Sequence, residues 1–198
     1  SYKIDELSTF MKILTIFSAI FVMLTSSKYL KLTKIFKIEY PVLILCSILG
    51  MMVMISSNDL IVFYLGLEIQ AMSLYVLASF NKENIFSTES GIKFFVLSAL
   101  SSGLLLYGCS LIYGFSATTN FDLIAASNLF DARYGITFGI VFILVGLSFK
   151  ISAVPFHMWA PDVYEGSPTS VTLFFTLVPK IAALSVFIRF LYVPFLNL

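Results

Sequence analysis

Apolar positions along this chain gather into long blocks instead of alternating with polar ones. The blocks cover about residues 8–26, 40–55, 60–80, 87–113, 134–164 and 168–192. A helix of roughly 20 apolar residues crosses a hydrocarbon core of about 30 Å and satisfies its backbone polar groups internally. The pattern therefore predicts an all-α integral membrane protein with about six transmembrane helices. Polar runs punctuate the blocks. Asp59 or Asn58 is placed to cap the third helix by accepting its free amides, and Asn81-Lys82-Glu83-Asn84 makes a tight turn. Ser167 at N-cap with Pro168 at the first helical position starts the sixth. Within the longest connection, residues 120–128 fit a short amphipathic helix at the interface.

The fifth block carries the chain's most unusual stretch, residues 146–161, with Lys150, Pro155 and the only histidine, His157. A proline inside a helix removes a hydrogen bond and collides with the preceding turn, so the fifth helix is expected to break at Pro155. In lipid such a defect persists only where protein or a hydrated cavity satisfies the freed carbonyls. A charge beside a helix break is the arrangement a membrane protein needs to hold an ion or proton partway across.

Composition agrees with a bilayer location: 59% hydrophobic, 12% charged and a mean hydropathy of +0.98. A net charge of +1 gives no reason to expect a nucleic-acid partner. Cys46 and Cys109 lie in separate apolar blocks and read as small buried apolar side chains; clusters and zinc need grouped ligands. No Gly-rich phosphate loop is present. Lysine and phenylalanine are abundant, a skew that fits an AT-rich genome such as an organelle's. Lys28, Lys31, Lys34, Lys37 and Lys82 fall in linkers on one side of the membrane, with Lys3, Arg133 and Arg189 on the other. The positive-inside rule puts the lysine-rich side in the cytoplasm or matrix. The same lysines also fit a patch for anionic lipid headgroups.

Four ionisable residues lie inside apolar blocks: Glu68, Lys93, Lys150 and Lys180. A charge at the bilayer centre costs about 2.5–3.5 kcal/mol on insertion scales, so four together imply a shared polar interior. Gln70 and Ser73 add polar atoms near Glu68, and Ser98, Ser101 and Ser102 run as a polar thread along the fourth helix. Glu89 stands four residues before Lys93, the spacing of a helical ion pair. Lys150 and Lys180 read as deep in their helices, beyond easy reach of the headgroups. His157, seven residues after Lys150, would share its face in an unbroken helix. Such groups suit proton exchange; taken one at a time, each lysine also fits a neutralised packing role, and His157 a satisfied buried donor. Trp159 and Tyr164 read as an interfacial aromatic belt, and Asp162 and Glu165 as solvated or docking another subunit.

The segment FKISAVPFHMWAPDVYEGSP resembles the broken-helix signature of the antiporter-like subunits of respiratory complex I. The blocks LGLEIQAMSLYVLASF, STESGIKFFVLSALSSGLLLYGCSLIYG and LVPKIAAL are similar to the chain 2 branch of that family. The likeness runs from about residue 59 to 189. It implies a proton-translocating half-channel in which Glu68 pairs with Lys93, Lys150 changes protonation, and a proton passes by His157 and water towards Lys180. The family fold has two inverted five-helix repeats, each with a broken helix. Residues 40–198 correspond to the first repeat and residues 1–39 to a preceding helix and its lysine-rich linker. A separate chain would supply the second repeat, or this chain is a fragment.

The resemblance further implies a membrane-arm subunit of a proton-pumping NADH:ubiquinone oxidoreductase, with no cofactor of its own. NADH, FMN, iron–sulfur clusters and ubiquinone would belong to other subunits, and the partners would be other membrane-arm subunits and lipids. A structural subunit that has lost pumping and a cation/proton antiporter subunit are the rival expectations. The mitochondrial inner membrane is the expected location, with a bacterial plasma membrane as the alternative.

Overall fold

The computed structural model describes residues 2–33, 35, 37–127 and 133–195. Lys34, Asn128 and the side chain of Arg133 lie outside the described residues. The helices are α1 (Glu6–Leu32), α2 (Glu39–Ile55), α3 (Leu60–Ala78), α4 (Ile85–Ser116), α5 (Phe121–Ala126), α6 (Arg133–Ile151), α7 (Ala160–Gly166) and α8 (Thr169–Tyr192). Five of the described helices are long and apolar enough to cross a membrane, and α2 is a shorter apolar helix of 17 residues. The protein is thus a multi-pass, all-helical membrane protein. Large apolar side chains such as Phe10, Phe17, Phe21 and Leu24 of α1 cover its outside.

Local chemistry sets most helix ends. The Asp59 carboxylate accepts from Ile61 N at 3.0 Å and caps α3, whereas Asn58 donates to Asp122 at 2.7 Å. Asn84 caps α4, and Asn120 caps the short α5, which buries Phe121 and Ile124. The first helix is longer than its apolar block. It runs through Ser27 and Lys31 to Leu32, because nothing in that polar stretch breaks a helix before the Thr33 cap.

Two expectations fail. Ser167 does not cap α8: its hydroxyl donates back to Val163 O, closing α7, and α8 starts on the Pro168 carbonyl, which accepts from Val171 N and Thr172 N. The fifth span does not break at Pro155 but four residues earlier. Ala153 N reaches Ser148 O at 2.9 Å and Ser152 N reaches Phe149 O at 3.1 Å. Ser152 takes the left-handed conformation at φ 64°. This bond pattern with a left-handed residue ends a helix by satisfying its last carbonyls. Pro155 follows in a non-helical segment that leads to α7, where Pro161 sits in the first turn.

Glycines let the helices approach. A Cβ on Gly50 would lie 2.6 Å from Gln70 N, and one on Gly66 would lie 2.8 Å from Met54 N, so α2 and α3 meet backbone to backbone. Gly108 and Gly139 do the same for α4 and α6. The core between helices is built on Phe63, Phe121, Phe174 and Phe190, all fully buried. Helix α1 packs on α8, and α7 folds back onto α4.

Gly66→Ala should push α2 from α3 and cost about 1–3 kcal/mol, as overpacked cores do. Gly103→Ala, where a Cβ would meet nothing within 4 Å, should be neutral or gain about 0.5–1 kcal/mol from helix propensity. Thermal unfolding of the two variants in detergent checks the contrast.

Candidate functional site

The early end of α6 puts Lys150 in its last turn. The lysine is therefore not in a helix interior, as the apolar block suggested, but at a helix terminus, half-buried against the bundle. A helix C-terminus carries the negative end of the backbone dipole and favours a cation. Lys150 Nζ donates to Ser98 Oγ of α4 at 2.5 Å, and Tyr75 OH of α3 donates to the same oxygen at 2.8 Å. Trp159 holds the break from the other side: its Nε1 donates to Phe149 O at 2.9 Å, and its ring stacks between Phe94 and Phe149. At 4% exposure it belongs to the core and not to an interfacial belt.

A cavity of about 20 Å³ adjoins Lys150, lined by Gln70, Phe94, Trp159, Phe175 and Pro179 among others. Pro179 lies inside α8. It has no N–H, so the carbonyl four residues back, that of Phe175, loses its helical partner. A second helix irregularity thus borders the lysine. The sequence contained its signal, the Pro179-Lys180 pair, but not its relation to Lys150.

The other predicted residues are distributed differently from expectation. Lys93 does not pair with Glu68. It bonds Glu89 at 2.8 Å and Asp162 at 2.7 Å, and all three side chains are about half exposed. The reason is register. The α3–α4 hairpin sets Tyr75 against Ser98, which puts Glu68 level with Leu105, roughly 18 Å along α4 from Lys93 at 1.5 Å per residue. Glu68 Oε1 is buried without a hydrogen-bond partner among the described residues, within electrostatic reach of Lys150 and Tyr75. Asp162 is accordingly not a free loop carboxylate, since it ties α7 to α4. Lys93, Glu89, Asp162 and Glu165 line an open cavity of about 390 Å³.

Lys180 is half-buried with Nζ 5.5 Å from the centroid of the Tyr164 ring, a cation–π arrangement. His157 sits in the non-helical segment, exposed beside Val154 and Met158. The turn after α6 rotates it away from the lysine face, and it bridges neither Lys150 nor Lys180 through any hydrogen bond among the described residues. Cys109 is buried as expected, whereas Cys46 is exposed on α2.

A second polar cluster closes the opposite end of the bundle. Arg189, only 4% exposed, bonds Asp5 at 3.0 Å and Ser57 O at 3.3 Å. Lys3 bonds Asp122 at 3.0 Å, and Leu60 N and Phe121 N bond Thr119 O and Asn58 O across to the α5 loop. Charge alternation puts Arg189 on this side of the membrane but leaves its burial illegible, because Asp5 is 184 positions away in sequence.

A sequence profile of the family described as NADH:quinone oxidoreductase/Mrp antiporter, TM matches residues 57–197. The chain is 72% identical over 197 residues to NADH-quinone oxidoreductase subunit N of Pelagibacter ubique (strain HTCC1062), covering 100% of this chain and 42% of that protein. A chain of respiratory complex I from Thermus thermophilus matches with a TM-score of 0.82 at 31% identity, over 95% of this chain and 40% of that one. A chain of the Mrp complex from Dietzia sp. DQ12-45-1b gives a TM-score of 0.80 at 23% identity, over 98% of this chain and 36% of that one, a likeness of fold. The chain spans about two fifths of the length of the curated relatives it matches, 42% of one and 40% of another. The relatives are bacterial, which agrees with the plasma-membrane alternative and leaves the mitochondrial expectation without support. An AT-rich codon signature does not separate an organelle from an AT-rich bacterium.

The second cluster predicts a pH response. The Lys3 ammonium, with the Asn58 amide, holds the Asp122 carboxyl below its ordinary value of 3.8. A carboxyl lowered by folding stabilises above its unfolded value and loses that contribution as pH falls through the folded one. A spin label at exposed Leu123 should stay immobilised at neutral pH and gain mobility only below pH 3.8. In Asp122→Asn it should be mobile throughout, as electron paramagnetic resonance would register.

Proposed function

Because this chain belongs to the NADH:quinone oxidoreductase/Mrp antiporter transmembrane family, we propose that it forms the first antiporter-like repeat of a membrane-arm subunit in a proton-pumping NADH:quinone oxidoreductase. The reading places it in a bacterial plasma membrane, within a protein or assembly that supplies the second repeat. The observation that carries it is Lys150, a lysine held at a helix end inside the bundle by Ser98. In lipid such a group is costly and marks an ion or proton path. The 72% identity to a protein named NADH-quinone oxidoreductase subunit N supports this reading over a separate antiporter, since the Mrp likeness at 23% identity speaks to fold.

In this reading Lys93, with Glu89 and Asp162, stands at the inner mouth. Lys150 is the proton-carrying group in the middle, and Glu68 is the carboxylate that biases its charge. Lys180, over Tyr164, is the next site. His157 faces outward, where the second repeat would meet the break. The chain carries no cofactor of its own in this scheme; NADH, FMN, iron–sulfur clusters and quinone would act on partner subunits, and electron transfer there would shift the charges here.

Lys150→Met in the full-length subunit of the assembled complex should leave assembly and NADH oxidation measurable but lower the protons moved per electron. Proteoliposomes with an internal pH dye read that ratio. An unchanged ratio refutes the proposed path.

A further inference from the structure

Gln70 takes no part in the proposed path, yet it lines the cavity beside Lys150. It is 6% exposed, and its Oε1 has no hydrogen-bond partner among the described residues. A buried amide oxygen left unpaired carries its full desolvation cost, and buried polar groups of this kind are commonly satisfied by internal water. The cavity, about 20 Å³, passes the size of roughly 10–15 Å³ that one water requires. A buried water also needs two to four polar partners. The lining residues include charged Lys150, polar Gln70, and Phe175, whose carbonyl loses its helical donor to Pro179. The remaining lining shown is apolar: Leu67, Ala71, Leu74, Phe94 and Trp159. Those walls leave the water few alternatives to these three groups.

We propose that Gln70 is a positioning residue of the proton path, holding one water between Lys150 and the Pro179 irregularity that precedes Lys180. The inference rests on the reading of Lys150 as a proton carrier. When Lys150 discharges, one N–H bond of its ammonium breaks and one O–H bond of the water forms. The Gln70 and Phe175 oxygens stabilise the charge during that step. The water then releases a different proton towards α8, where Lys180 accepts it after passing its own proton onward. In that transfer one lysine loses a charge, the other regains one, and the total is unchanged.

The test uses the assembled complex with the full-length subunit. Gln70→Leu keeps a similar volume and removes the acceptor. It should lower the protons moved per electron to the level of Lys150→Met in the same preparation, with the thermal stability of the complex near wild type and NADH oxidation still measurable. Wild-type stoichiometry in Gln70→Leu alongside a loss in Lys150→Met overturns the role of Gln70 and leaves the proposed function standing. Wild-type stoichiometry in both variants overturns the proposed function and this inference with it. If Gln70→Leu does not assemble, a high-resolution map of the wild-type complex decides. Density for a water within hydrogen-bonding distance of both Lys150 Nζ and Gln70 Oε1 supports the proposal, and a cavity without that density refutes it.

Discussion

A lysine inside a bilayer needs partners before anything else in the fold can hold. Placing its charge there costs about 2.5–3.5 kcal/mol on insertion scales. A hydrogen bond to a charged group returns about 1.5–3 kcal/mol, and a helix C-terminus up to about 2 kcal/mol in a partly buried setting. Together these match the cost, and Lys150 has both. Its bond to Ser98 and its place in the last turn of α6 make the site self-consistent. The helix end is therefore part of what stabilises the charge, in addition to being a gap in the span.

The rest of the bundle follows from keeping that end closed. Ser152 and Ala153 satisfy the last carbonyls of α6, and Trp159 Nε1 adds a further donor to Phe149 O. The stacked rings of Phe94, Trp159 and Phe149 fill the space between the break and α4. Farther towards the lysine-rich side, the Lys93–Asp162 pair fastens α7 to α4. At the opposite end, Arg189 and Asp5 join α8 to the start of α1. The two ends are tied by ion pairs, while the middle is held by the Ser98 and Ser101 hydroxyls, aromatic packing and the glycine contacts between helices. Local changes at Lys150 can thus occur within a frame that is fixed at both ends.

The sequence made much of this legible. Block lengths gave every spanning segment, Asp59 declared its cap, and the residues around Asn120 foretold the short helix α5. The importance of the stretch around Lys150 was visible from a charge and a proline in one apolar block. The position of the break was not, because a left-handed serine and two carbonyl bonds define it, and neither leaves a mark as strong as Pro155. Pairings were the least legible. The helical spacing of Glu89 and Lys93 showed one partner, but Asp162 lies 69 positions from Lys93 and Asp5 lies 184 from Arg189. The expected Glu68–Lys93 pair was implied by resemblance and failed on the register of the α3–α4 hairpin, which contacts such as Tyr75–Ser98 reveal. The core position of Trp159 is not legible, because an aromatic residue near a loop looks the same in sequence whether it faces headgroups or closes a helix end.

The account depends on Lys150 exchanging its proton and not merely supplying a fixed charge. Arginine keeps the charge and the hydrogen-bond donors but does not deprotonate in proteins. The decisive measurement is the number of protons moved per electron by the complex carrying Lys150→Arg, reconstituted in sealed vesicles beside wild type. The account predicts a complex that assembles and oxidises NADH but has a reduced ratio. A ratio equal to wild type would contradict it and leave Lys150 as a structural cation.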